Sequence, residues 1–199
     1  IELAGRAAAR RHRASDACLG DWGGKAAEDI LLATDLLIER GIADPSRMAI
    51  AGGSFGGYMA CWLPTVTDRF ACAIAHAAVY NLITLCASDV TQGVERDIGG
   101  EPWDLPRVKA AIDRHNPASN TGTYRTPTLV THGEKDYRVP IGEALALYEA
   151  LVRHGVDAEL AVFPDENHWI LRPRNIQAWY GVVLEFLGKH LRAGAQRAP

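Results

Sequence analysis

The sequence predicts an α/β fold, a mostly parallel sheet with helices on both faces. Two observations carry this expectation. Short apolar runs alternate along the chain with amphipathic segments long enough to be crossover helices, as in β-α-β units. The apolar runs are also continuous rather than alternating, as in strands covered on both faces.

Each element follows from its own pattern. Residues 25–40 place Ala27, Ile30, Leu31, Leu37 and Ile38 on one helical face, and Gly41 stops the helix. RMAIAG, residues 47–52, is a short apolar run and reads as a strand buried on both faces. Residues 56–66 then read as a helix, and ACAIA, 71–75, as the next buried strand. Residues 78–120 are irregular and rich in Gly, Pro and Asn, with one helix expected at 106–114. TPTLVTHG, 126–133, is the third strand. Residues 142–154 place Leu145, Tyr148, Leu151 and Val152 on one face and end at Gly155. AELAVF, 158–163, is the fourth strand. The last helix starts near Pro173, a favoured first-turn residue, and turns Ile176, Val183, Leu184, Leu187 and Leu191 inward. Four strands are few for a sheet covered on both sides, so its first strands are expected to be missing.

Composition narrows the function. The 199 residues are 48% hydrophobic and 23% charged, as in one globular domain of ordinary size. A net charge of −3 argues against a nucleic-acid binder. No apolar run approaches the roughly 20 residues that span a bilayer. Cys18, Cys61, Cys72 and Cys86 form no CxxC pair, and free thiols in a reducing, cytoplasmic compartment are expected. His, Cys and carboxylates lack metal spacing, and no nucleotide-binding glycine pattern occurs, so no metal or other cofactor is expected. Residues 1–19 carry Arg6, Arg10, Arg11 and Arg13 and read as a poorly matching N-terminal segment, the ragged edge of a longer protein. Residues 20–199 read as the α/β domain.

Chemistry concentrates at three strand ends, where open parallel sheets gather their sites. The first strand runs into Gly52-Gly53-Ser54-Phe55-Gly56, a G-x-S-x-G pattern between strand and helix. The third presents Asp136, and the fourth, in FPDENHW, presents His168. The order Ser, Asp, His is the chain order of the α/β-hydrolase triad. Ser54 would be the nucleophile, His168 the base that takes its proton, and Asp136 the acid that orients the imidazole. The N–H of Phe55 would donate to the oxyanion. Asp165 competes with Asp136 but reads as a loop or capping carboxylate. His132 reads as a hydrogen-bonded structural residue, His76 as a core-edge one, and His12, His115, His154 and His190 as solvated.

GDWGGKAAEDI, GGSFGGYM, HGEKDYRVP and FPDENHWILRP together resemble the catalytic domain of the prolyl oligopeptidase family, in its acylaminoacyl-peptidase and dipeptidyl-peptidase-like branch. The likeness covers roughly residues 20–192 in matching order. It implies an α/β-hydrolase fold and a serine peptidase acting on short peptides, with Ser54, Asp136 and His168 as its triad. It also implies that Tyr80 and Val139 wall the S1 pocket, with a core aromatic and a packing residue as the plainer alternatives. Members of the family commonly carry a β-propeller cap, upstream sheet strands and a second oxyanion donor on an upstream loop. None of these is found here, so the chain reads as the C-terminal part of such a domain. An oligomer or a longer protein would then cover the open sheet edge. Two other readings stay open: an esterase-like hydrolase, and a non-catalytic partner that keeps the scaffold.

Overall fold

A computed structural model describes residues 20–86, 88–89, 98–101 and 106–192. The expectations for residues 1–19, with His12 and Cys18 among them, lie outside these. The elements are α1 (Lys25–Glu39), β1 (Ala49–Gly53), α2 (Phe55–Val66), β2 (Cys72–His76), α3 (Leu82–Leu85), α4 (Pro106–His115), β3 (Thr128–Gly133), α5 (Ile141–Arg153), β4 (Ala158–Phe163) and α6 (Pro173–His190). Short 3-10 turns at Pro117–Ser119 and Thr121–Thr123 lead into β3. The strands lie in the order β1-β2-β3-β4, all parallel.

Strand β2 shows why both faces need cover. Ala73 and Ala75 pack with Val130 into the larger core, which α2 fills with Tyr58 and Leu63 and α5 with Leu147 and Leu151. Cys72 and Ile74 turn the other way and join Leu129 against Val183 and Phe186 of α6. Burying a side chain such as Phe186 is worth about 1.5–3 kcal/mol, so α6 is held chiefly by this face.

Helix α2 tolerates a proline because another element repairs it. Pro64 lies inside the helix and has no N–H for the carbonyl of Ala60, four residues earlier. The buried Tyr124 hydroxyl donates to that carbonyl at 3.3 Å instead, and pairs with Thr128 Oγ1 at 3.0 Å.

Some expectations are corrected. Strand β1 is not buried on both faces: Ile50 is buried, but Ala51 and Gly53 are exposed. They are in register with Ile74 and His76, on the face that α6 covers, and β1 stands at the edge of the sheet among the described residues. Helix α5 turns Glu143, Ala144, Leu147 and Leu151 inward, leaving Leu145 and Val152 exposed. Leu184 of α6 is also exposed, because Val183 and Phe186 take the inner stripe. His115 is buried beneath Trp62, with ring centroids 5.5 Å apart, and His190 packs on Phe186 at 4.4 Å, so neither is solvated.

Candidate active site

The turn from β1 into α2 sets the first side chain. Ser54 has φ 59° and ψ −119°, a left-handed backbone that side chains seldom adopt. Such strain persists only where the surroundings enforce it. Here the Ser54 N–H donates to the carbonyl of His76 at 3.0 Å, and the Ser54 carbonyl accepts from Tyr58 at 2.9 Å. Phe55 is the first residue of α2, so its N–H has no partner within the helix. Its ring packs edge-on to Trp22 at 5.3 Å and stacks on Tyr58 at 5.6 Å.

The second side chain sits in the turn after β3. Asp136 is buried, and its Oδ1 accepts the N–H groups of Arg138 and Val139, each at 2.9 Å. Its Oδ2 faces His168 Nδ1 at 2.7 Å and His132 Nε2 at 3.3 Å. Burial alone would raise the Asp136 pKa. Hydrogen bonds from His132, Val139 and His168 outweigh this and hold the carboxyl below its ordinary range. An ionised carboxylate only accepts, so Nδ1 of His168 carries the proton and Nε2 keeps a lone pair for base chemistry. Asp165 lies apart, pairing with Arg172 Nε at 3.1 Å and accepting from Asn175 at 2.8 Å.

Register brings these turns to one edge. Gly53 pairs with His76, His76 with Thr131, and Gly133 with Phe163, so Ser54 and the Asp136 and His168 loops all leave the carboxyl ends of parallel strands of one sheet, β1, β3 and β4. A model of the prolyl oligopeptidase family matches residues 12–194. The chain belongs to the prolyl oligopeptidase family.

Similarity to individual family members is of the same kind. Dipeptidyl-peptidase 5 of Porphyromonas endodontalis is 34% identical over 176 residues, which are 87% of this chain and 26% of that protein. An acylaminoacyl peptidase of Pyrococcus horikoshii superposes with a TM-score of 0.81 at 25% identity, over 90% of this chain and 30% of that one. A puromycin-hydrolyzing peptidase of Mycobacterium tuberculosis superposes with a TM-score of 0.80 at 27% identity, over 86% and 26%. The chain therefore spans between a quarter and a third of these family members. Their fold is that of α/β-hydrolase peptidases, and the parallel sheet here is part of it.

Within this family fold, two supporting residues escaped sequence reasoning. Glu166 is buried, and its carboxylate accepts from the N–H groups of Leu171 and Arg172 at 3.1 and 2.9 Å and from Asn175 Nδ2 at 2.8 Å. It thereby closes the loop that carries His168. Its signal in the sequence is an acid shortly before a Pro-started helix. Glu143, on the inner face of α5, betrays itself only by standing one turn before Leu147 and two before Leu151. His76 ends β2 half-buried, as its reading as a core-edge residue expects.

His132 is where sequence reasoning put it, as a structural residue. Fully buried, it donates from Nε2 to the Val139 carbonyl at 2.7 Å beneath the acid. Tyr80 and Val139 are both buried here. The Tyr80 hydroxyl pairs with Thr121 Oγ1 at 2.6 Å.

His76 makes the site sensitive to acid. Its Nδ1 pairs with Thr131 Oγ1 at 2.9 Å, which also accepts from Trp179 Nε1 at 3.0 Å. Burial, then the nearby His132 and His168, push its pKa from 6.5 down to about 4. The unfolded chain therefore binds this proton first. The stability His76 contributes is complete above pH 6.5, is lost as pH falls towards about 4, and changes no further below that. At about 1.4 kcal/mol per pH unit, the loss is at most about 3 kcal/mol for this half-buried ring. Burial lowers His115 and His190 as well, adding loss of the same sign. Urea midpoints at intervals across this range should fall with pH, and His76→Asn should flatten part of that fall. An equal slope in the variant would refute the role given to His76.

Proposed function

We propose that the chain is the C-terminal part of a serine peptidase catalytic domain that cleaves short peptides through an acyl-enzyme. The observation that carries this reading is the left-handed backbone of Ser54 at a strand-to-helix turn. The bond between His168 and Asp136 supports it. In this mechanism Ser54 Oγ attacks the scissile carbonyl carbon and its proton moves to His168 Nε2. The oxyanion accepts from the Phe55 N–H. The C–N bond then breaks as His168 returns the proton to the leaving amine. Water repeats the sequence on the acyl ester, releasing the acid and restoring Ser54. Asp136 stabilises the imidazolium throughout.

Upstream strands against β1, with a propeller cap, are the partners this reading needs, because β1 exposes an unpaired edge among the described residues. Loss of one of two oxyanion donors costs about 10²–10³ in turnover. Such a loss weighs less on esters, whose leaving group is better, and this gives the esterase reading its place. Among the described residues no helix is long and apolar enough to cross a membrane. Cys61 and Cys72 are buried and form no disulfide among the described residues, which supports a reducing, cytoplasmic setting.

Fluorophosphonate labelling tests the reading. The wild-type chain should label, and Ser54→Ala and His168→Ala should not. A folded wild-type chain that stays unlabelled would turn the reading towards a scaffold. Labelling that survives Ser54→Ala would place the reactive group elsewhere. Hydrolysis of an activated ester beside a peptide amide separates the two hydrolase readings.

A further inference from the structure

Glu143 is 4% exposed, and no Lys or Arg pairs with it among the described residues. Its Oε2 instead accepts the backbone N–H groups of Tyr80 at 2.9 Å and Asn81 at 2.6 Å, and its Oε1 the hydroxyl of Thr84. Burial pushes its pKa up, and these donors offset only part of that. A buried carboxylate is tolerated only when its lone pairs are used this fully.

The segment it grips is otherwise set by neutral contacts. The Tyr80 carbonyl accepts from Ala118 at 3.1 Å, and the Leu82 N–H donates to Asn116 Oδ1 at 3.1 Å. Just upstream, Ala77 has φ 43°, a second strained position beside the Ser54 turn. Glu143 itself belongs to the first turn of α5, and its N–H donates to the Pro140 carbonyl at 2.9 Å. Pro140 follows Val139 directly. One side chain thus ties the segment of Tyr80 to the segment of Val139, across two strand ends of the sheet.

We infer that Glu143 is a positioning residue that fixes the spacing between Tyr80 and Val139 and so sets which acyl side chain the site accepts. The inference rests on reading Ser54 as the nucleophile and those two residues as walls of the adjoining pocket. A wall held by a charge-assisted clamp discriminates, whereas a released wall adapts to both large and small groups.

The test is chosen to run without a working nucleophile. In Ser54→Ala chains, the affinities of N-acetylphenylalanine amide and N-acetylalanine amide are measured by calorimetry or NMR titration. The ratio of the two should differ from one with Glu143 in place. Glu143→Ala should move it towards one by about fivefold or more. Thr84→Val, which removes one of the three donors at an exposed position, should move it the same way by less. With Ser54 restored, fluorophosphonate labelling of the Glu143 variant should fall by less than the affinity ratio moves, because Asp136 keeps the Arg138 N–H and His168 whatever becomes of Val139. A ratio near one at the outset overturns the inference. So does a ratio that the variants leave unchanged, or a labelling loss that matches the loss of binding. Should Glu143→Ala fail to fold, Thr84→Val decides alone. Failure of wild-type labelling would count against Ser54 only, and the binding ratio would still judge Glu143.

Discussion

Asp136→Asn should lower the rate of fluorophosphonate labelling about 10³–10⁴-fold while leaving the fold intact, a loss of the size known for the equivalent change in a Ser-His-Asp triad. The geometry explains both halves. Asp136 Oδ1 accepts two backbone N–H groups at 2.9 Å, and the amide oxygen of Asn can keep both. That orientation places the Asn NH₂ where Oδ2 stands, 2.7 Å from His168 Nδ1. A donor there demands a lone pair on Nδ1, so the proton moves to Nε2 and the base is lost. The same NH₂ meets the Nε2–H of His132, which already donates to Val139 at 2.7 Å, so some stability should go as well. Labelling kinetics beside a thermal melt check this. A rate within tenfold of wild type would mean that Asp136 does not govern His168.

The fold was legible where one element alone determines the pattern. Strand β4 spans the residues its sequence indicates, and Pro173 opens α6 as its fixed φ suggests. The candidate triad was legible for a similar reason, since glycines around a serine and polar residues past strand ends are local signals. What escaped depends on packing between distant elements. Beyond its spacing to Leu147 and Leu151, nothing near Leu145 shows that α5 is rotated to bury Glu143 instead, because the partners of Glu143 lie some sixty residues away at Tyr80, Asn81 and Thr84. Burial of β1 was over-read because a continuous apolar run looks alike in a central strand and in one whose neighbour is absent from the described sheet.

The glycines around Ser54 divide sharply by what a methyl group would meet. At Gly52 a Cβ would lie 2.3 Å from the carbonyl oxygen of Gly56 and 2.4 Å from its carbon, both backbone atoms of the helix start. At Gly57 it would lie 2.6 Å from the His76 carbonyl oxygen, the same atom that holds the Ser54 N–H. Neither neighbour can give way without opening the turn. Gly52→Ala and Gly57→Ala should each destabilise the chain by about 3 kcal/mol or more, in the range of severe core substitutions. Each should also cut labelling at least about 100-fold, because a turn displaced by an ångström no longer presents Ser54. The other two glycines should behave differently. At Gly53 a Cβ would come closest to the His76 ring edge, at 3.3 Å, with the His76 carbonyl oxygen at 3.8 Å, and at Gly56 it would meet nothing within 4 Å. Gly56→Ala, inside the first turn of α2, should even gain some of the roughly 1 kcal/mol by which Ala exceeds Gly in helices. Urea midpoints and labelling rates of the four variants, measured side by side, check the division. Equal tolerance at Gly52 and Gly56 would mean that strand and helix do not meet closely at this turn, and that Ser54 owes its strained backbone to something else.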